Sequence, residues 1–156
     1  MDMGSIIYSV GRVFLLFFLL VWETEGRDQA KYFDVRKYGA VDDGKTDNSQ
    51  AFLDAWKEAC QWKGTARVLV PRGTFKLYPV IFSGPCNGPI AFLIKGTLRA
   101  TTNPSTFSAH SWINFRYIDQ LTVTGGGTLE GQGASAWHLN NCKTNPQCQA
   151  LPIVSS

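Results

Sequence analysis

Three five-residue segments begin alike: GTFKL from Gly73, GTLRA from Gly96 and GTLEG from Gly127, at intervals of 23 and 31 residues. A Gly-Thr-apolar start returning at unequal intervals of this size fits a solenoid, in which each turn supplies an equivalent strand and the connecting loops vary. The segments around it agree. Arg67–Val70, Phe75–Tyr78, Val80–Phe82, Ile90–Ile94, Thr97–Ala100, Ile113–Tyr117 and Leu121–Thr124 are rich in β-branched and aromatic residues, and the pattern predicts short strands there. Turn chemistry separates them at Pro71-Arg72-Gly73, Ser83-Gly84-Pro85, Asn87-Gly88-Pro89, Asn103-Pro104 and Gly125-Gly126-Gly127. A two-sheet sandwich would also give short strands between turns. It would give neither the repeat nor what precedes it.

What precedes it is one helix. Asp47, with Gln50 three residues on, resembles a capping box. Ala51, Phe52, Ala55, Trp56, Ala59 and Cys60 then fall on a single face at helical period. In a parallel β-helix the first coil presents a bare apolar cross-section and unpaired edges, which need a cap. Residues Ala51–Cys60 are therefore expected to be the lid over the first coil. At the far end Leu151, Ile153 and Val154 look like a strand just starting, so the stack is expected to be uncovered there and the sequence truncated.

The first residues have the layout of a secretory signal peptide. Arg12 precedes the ten-residue apolar run Val13–Trp22, and Thr24 and Gly26 are spaced for cleavage after Gly26. Ten residues fall short of the ~20 that cross a bilayer. The expected organisation is a leader, 1–26, and one β-helical domain, 27–156. Its removal leaves fourteen basic and nine acidic residues, a net charge of +5. That balance suits an acidic partner such as a polyanionic polysaccharide. The secretory start and the lack of a basic run argue against nucleic acid.

The oxidising route also bears on Cys60, Cys86, Cys142 and Cys148. Three pairings are possible. The sequence-local set, Cys60–Cys86 and Cys142–Cys148, is favoured because the second loop is short and rich in turn residues. Zinc is disfavoured, since no Cys-x₂-Cys spacing or suitably placed histidine occurs.

Several ordered stretches carry a family likeness: FDVRKYGAVDDGKTDNSQAFLDAWKEAC, VLVPRGTFKL, GPCNGPI, GTLRA, WINFRYIDQLTVTGGGTLEGQG and AWHLNNCKTNPQC. From Phe33 to about Ile153 the chain resembles the N-terminal part of plant polygalacturonases, glycoside hydrolase family 28. GPCNGPI and WINFRYID are most similar to the pollen-type, exo-acting branch. The resemblance implies a right-handed parallel β-helix, secreted to the cell wall and monomeric when full length. It implies hydrolysis of α-1,4 bonds between galacturonic acids in demethylated pectin, with inversion and no cofactor or metal. An acid and a base then flank the bond with room for a water, and basic residues hold the substrate carboxylates.

The family's Asn-Thr-Asp, Gly-Asp-Asp, Gly-His-Gly and Arg-Ile-Lys motifs do not occur in residues 1–156. No catalytic residue is therefore assigned, and the chain as given is expected to be inactive. Asp42-Asp43 reads as a turn, and Leu93-Ile94-Lys95 as core strand ending in an outward lysine. His110 and His138 read as loop residues, and Glu130 as a turn acid bonding backbone. Arg99, Arg116 and Lys143 could face an anionic polymer, but isolated surface cations are most often just solvated. Trp112 and Trp137 could stack on sugars, though packing is the commoner role. Two other readings compete: a secreted non-catalytic module that binds pectin or a wall protein, and a fragment that does not fold alone.

Overall fold

The computed structural model describes residues 29–107, 111–135, 137, 141–148 and 153–155. The expected leader, His110, His138 and Leu151 lie outside the described residues. In chain order the elements are β1 (Lys31–Asp34), β2 (Asp43–Asp47), α1 (Ser49–Gln61), β3 (Ala66–Val70), β4 (Thr74–Leu77) and β5 (Val80–Ser83). They continue with β6 (Ile90–Ile94), β7 (Thr97–Ala100), β8 (Ser111–Arg116), β9 (Leu121–Thr124), β10 (Thr128–Glu130) and β11 (Ile153–Ser155).

After the first circuit, in which a helix replaces the third strand, each circuit of the chain visits three sheets in turn. The first sheet is ordered β1-β3-β6-β9, the second β2-β4-β7-β10 and the third β5-β8-β11. Every pairing is parallel. The architecture is a right-handed parallel β-helix, the hand expected of parallel crossovers. The repeated Gly-Thr-apolar motif is one ladder of the second sheet: Thr74 pairs with Thr97 and Thr97 with Thr128, which stacks Phe75, Leu98 and Leu129.

Alternation along each strand sends one set of side chains inward. Phe33, Val68 and Phe92 stack in the first sheet, and Phe82 and Phe115 in the third. Phe52 and Trp56 of α1 join Phe75, Phe82, Phe92 and Phe115 in one aromatic cluster with ring centroids 5.1–6.4 Å apart. Tilted and edge contacts at these separations contribute beyond area burial. At the other end Val123 and Leu129 continue the inward ladders yet are 51% and 41% exposed.

The buried face of α1 is Ala51, Phe52, Ala55, Trp56, Ala59 and Cys60, the stripe read from the sequence. The helix follows β2 as β5 follows β4, so it stands in the first turn where the second turn has a third-sheet strand. The Cys60–Cys86 disulfide ties its last turn to the loop after β5, with Cα atoms 4.4 Å apart. Cys142 pairs with Cys148.

Three local expectations change. No capping box forms, because the N-cap is Asn48, whose side chain bonds elsewhere, while Gln50 Nε2 donates to Asp54 Oδ1. Asp47 Oδ1 instead accepts from the amide and hydroxyl of Ser49. Asp43–Asp47 is strand rather than simple turn, paired with β4 across a shift in register. The strand expected over Ile113–Tyr117 begins at Ser111 and ends at Arg116, and Tyr117 takes a left-handed backbone with φ 57°.

Candidate functional site

The outward face of the second sheet gathers the charges. Lys76 pairs with Arg99 and Arg99 with Glu130, so these three side chains share one row across β4, β7 and β10. Arg99 Nε donates to Glu130 Oε2 at 2.9 Å. Arg99 Nη1 lies so close to Gly44 that a Cβ there would stand 3.0 Å from it. Glu130 thus serves a cross-strand ion pair rather than the backbone of a turn. Both partners are partly exposed, which holds such a pair to about 1 kcal/mol or less.

At the start of this face, Asp43 Oδ1 accepts from the amides of Lys45 and Thr46, and Oδ2 from the Thr46 hydroxyl, each at 2.8 Å. The amide bonds from Thr46 and Lys45 push its carboxyl down to about 2. A general acid needs a proton affinity near the working pH. Asp43 is instead an anion held by the amides of its own strand, β2.

The other candidates separate. Ile94 is buried at the end of β6, and the amide of the exposed Lys95 donates to Val70 O. Trp112 is buried, with Nε1 donating to Leu77 O at 3.1 Å, so its ring packs. Trp137 is 70% exposed, and Lys143 is exposed in the Cys142–Cys148 loop. Arg116 is exposed at the end of β8, where its Nε donates to Asn114 Oδ1 at 3.3 Å.

The first sheet carries a feature the sequence reading did not single out. An open groove of about 320 Å³ runs across its outer face, lined by Arg67, Ala91, Leu93, Gln120, Thr122 and Thr124 among others. Ala91 sits between Arg67 and Thr122 in register, so the small side chain leaves the gap. Arg67 Nη1 donates to Tyr32 OH at 2.6 Å, with the guanidinium over the ring. The signal available was period-two alternation in β3, which turns Arg67 outward between buried Ala66 and Val68. Among the described residues no group of three or more His, Cys, Asp or Glu is placed to hold a metal. No helix among them is long and apolar enough to cross a membrane.

The profile of glycosyl hydrolases family 28 matches residues 60–155. An exopolygalacturonase of Platanus acerifolia is 47% identical over 118 residues, covering 75% of this chain and 31% of the relative. A polygalacturonase of Gossypium hirsutum is 40% identical over 136 residues, covering 86% of this chain and 33% of the relative. The chain therefore spans about a third of the length of these curated relatives. Among solved structures, a hyperthermoactive exopolygalacturonase from Thermotoga maritima superposes with a TM-score of 0.61 at 23% identity, over 78% of this chain and 30% of that one. The Yersinia enterocolitica family 28 exopolygalacturonase superposes with a TM-score of 0.53 at 24% identity, over 66% of this chain and 21% of that one. At those identities the superpositions speak for the fold.

Proposed function

The chain belongs to glycosyl hydrolases family 28, and from that membership we propose that it serves pectin hydrolysis, the cleavage of α-1,4 bonds in polygalacturonate in the plant cell wall after secretion. The observation that carries the reading is the family match over residues 60–155, the same residues that build the second, third and fourth turns of the β-helix. In this reading residues 27–156 supply the capped end and the scaffold. The reaction needs a carboxylic acid to protonate the leaving oxygen and a carboxylate to activate water from the opposite face. Asp43, held ionised by three hydrogen bonds, and Glu130, held by Arg99, serve structure and leave that pair to the family's motifs.

A second reading takes its support from the cations on the outer face, Lys76 in register with Arg99 and Arg116 exposed at the end of β8. The chain would then be a secreted, non-catalytic module that holds pectin through outward cations such as Lys76 and Arg116. The intact mass of the native secreted protein, measured together with galacturonate release from polygalacturonate, decides between them. A mass well above that of residues 27–156, with release, is expected for the hydrolase. A mass equal to that of residues 27–156, with no release but salt-sensitive retention on pectate, would replace it with the binding module.

A further inference from the structure

Three non-glycine residues among the described ones hold a left-handed backbone: Tyr117 with φ 57°, Gln120 with φ 58° and Gln132 with φ 51°. Glycine or asparagine takes this conformation with least strain, and a bulky aromatic is a poor choice for it. Gln132 has a local return, since its Nε2 donates to Ala100 O. Tyr117 has none of that kind. Its ring is 82% exposed, and among the described residues it makes no hydrogen bond, ring contact or cation–π contact.

The backbone around it is fixed. Gly84 lies below in the stack, its amide donating to Arg116 O at 2.9 Å, and a Cβ on Gly84 would collide with the Tyr117 carbonyl. Two adjacent turns are therefore shaped to each other at this corner. Tyr117 directly follows Arg116, which ends an outward row made with Ile81 and Ser83 of β5 and Asn114 of β8, paired in register. Arg116 binds Asn114 through Nε, which steadies the guanidinium. The fit between the two turns accounts for the turn but not for an exposed aromatic side chain at a left-handed position, and strained residues of this kind cluster at ligand sites.

We propose that Tyr117 and Arg116 form a surface subsite for one uronate residue of the polymer. The phenol ring stacks under the apolar face of the pyranose, and the guanidinium takes its carboxylate. The inference rests on the polygalacturonate reading above and adds a contact point outside the acid–base motifs. It also explains a tyrosine where asparagine would relax the chain.

The test is binding of polygalacturonate, and of fully methyl-esterified pectin as the uncharged control, to the full chain and to Tyr117→Asn and Arg116→Gln. Thermal unfolding of each protein runs alongside. Tyr117→Asn is expected to unfold at a higher temperature yet bind polygalacturonate about tenfold more weakly. Arg116→Gln is expected to lose a similar factor for polygalacturonate and little for the esterified polymer. Wild-type binding that both variants retain within about twofold would overturn the subsite alone, leaving the corner a matter of architecture. A wild-type chain that does not bind polygalacturonate would overturn the substrate reading and the subsite with it.

Discussion

Trp56 Nε1 donates to the carbonyl of Ser83 at 3.0 Å, which joins the middle of α1 to the last residue of β5. β5 pairs with β8 along one edge and lies at the end of its sheet. The indole therefore meets a strand edge that a preceding coil would otherwise cover, while its ring fills the interior against Phe82, Phe92 and Phe115. One side chain both closes the core and satisfies the edge. Trp56→Phe keeps most of the packing and orphans the carbonyl, so a loss of about 1–2 kcal/mol is expected. Trp56→Ala leaves a cavity as well and should lose roughly 3–5 kcal/mol. Urea unfolding midpoints of the three proteins measure both, and a Trp56→Phe midpoint equal to that of the wild type would show that the hydrogen bond carries no separate share.

The stacked glycines make a second prediction. A Cβ on Gly96 would fall on the carbonyl oxygens of Pro71 and Gly73, and one on Gly127 would meet the carbonyl of Gly96. These are rigid backbone atoms of the turn below, so Gly96→Ala should cost more than about 2 kcal/mol by forcing turns apart. Gly39 separates crowding from backbone strain, because it has φ 95° but nothing within 4 Å of the added atom. Gly39→Ala should cost about 1 kcal/mol. Denaturant titrations that rank Gly39→Ala as the worse variant would contradict the crowding argument.

The same glycines show what the sequence could reveal. GTFKL, GTLRA and GTLEG announce equivalent strands, and their fourth residues, Lys76, Arg99 and Glu130, are the row that faces outward. Aligning the repeats would have brought Arg99 to Glu130 despite 31 residues between them. The face of α1 was equally legible, since helical period alone picks out its six buried residues. β2 was not. Asp43–Asp47 is composed of turn-forming and polar residues, and only its pairing with Thr74 and Lys76 makes it a strand. β10 is three residues long, too short for period-two alternation to register, and only the repeat marks it. The Tyr117–Arg116 corner was hidden for a different reason, because a left-handed tyrosine leaves no mark in composition.

Asp43 gives a prediction in pH. Its carboxyl is pushed down to about 2 from an ordinary 3.8 by the amides of Thr46 and Lys45. A carboxyl whose folded value is depressed contributes stability above its unfolded value. That contribution is lost as pH falls through the folded value. Asp43 should therefore stabilise the fold fully above about pH 4 and progressively less between 3.8 and 2. Asp43→Asn should lower stability at neutral pH and flatten the decline in that window. Urea midpoints followed from pH 7 to pH 2 give the slope, and an unchanged slope would mean that the Thr46 and Lys45 amides do not hold the carboxylate in solution.

Asn48 is the buried polar residue on which the entry to the helix depends. Its Oδ1 accepts from the Val41 amide at 2.6 Å, and its Nδ2 faces the carbonyls of Val41, Thr46 and Lys76 at 3.0, 2.9 and 3.3 Å. It thereby joins the loop before β2, β2 itself and the end of β4, which explains why it does not cap α1 through its side chain. Asn48→Ala leaves an amide and carbonyls unpaired in a buried site and should cost about 3 kcal/mol. Asn48→Asp is expected to be worse at neutral pH, although it is nearly isosteric. It sets a carboxylate oxygen against three carbonyl oxygens where only a donor fits. Burial and those dipoles would raise the new carboxyl above its unfolded value, so the penalty should shrink as acid protonates it. The two variants, compared by thermal unfolding at pH 7 and pH 5, should converge on acidification. A constant gap between them would show that shape rather than the direction of the hydrogen bonds governs this site.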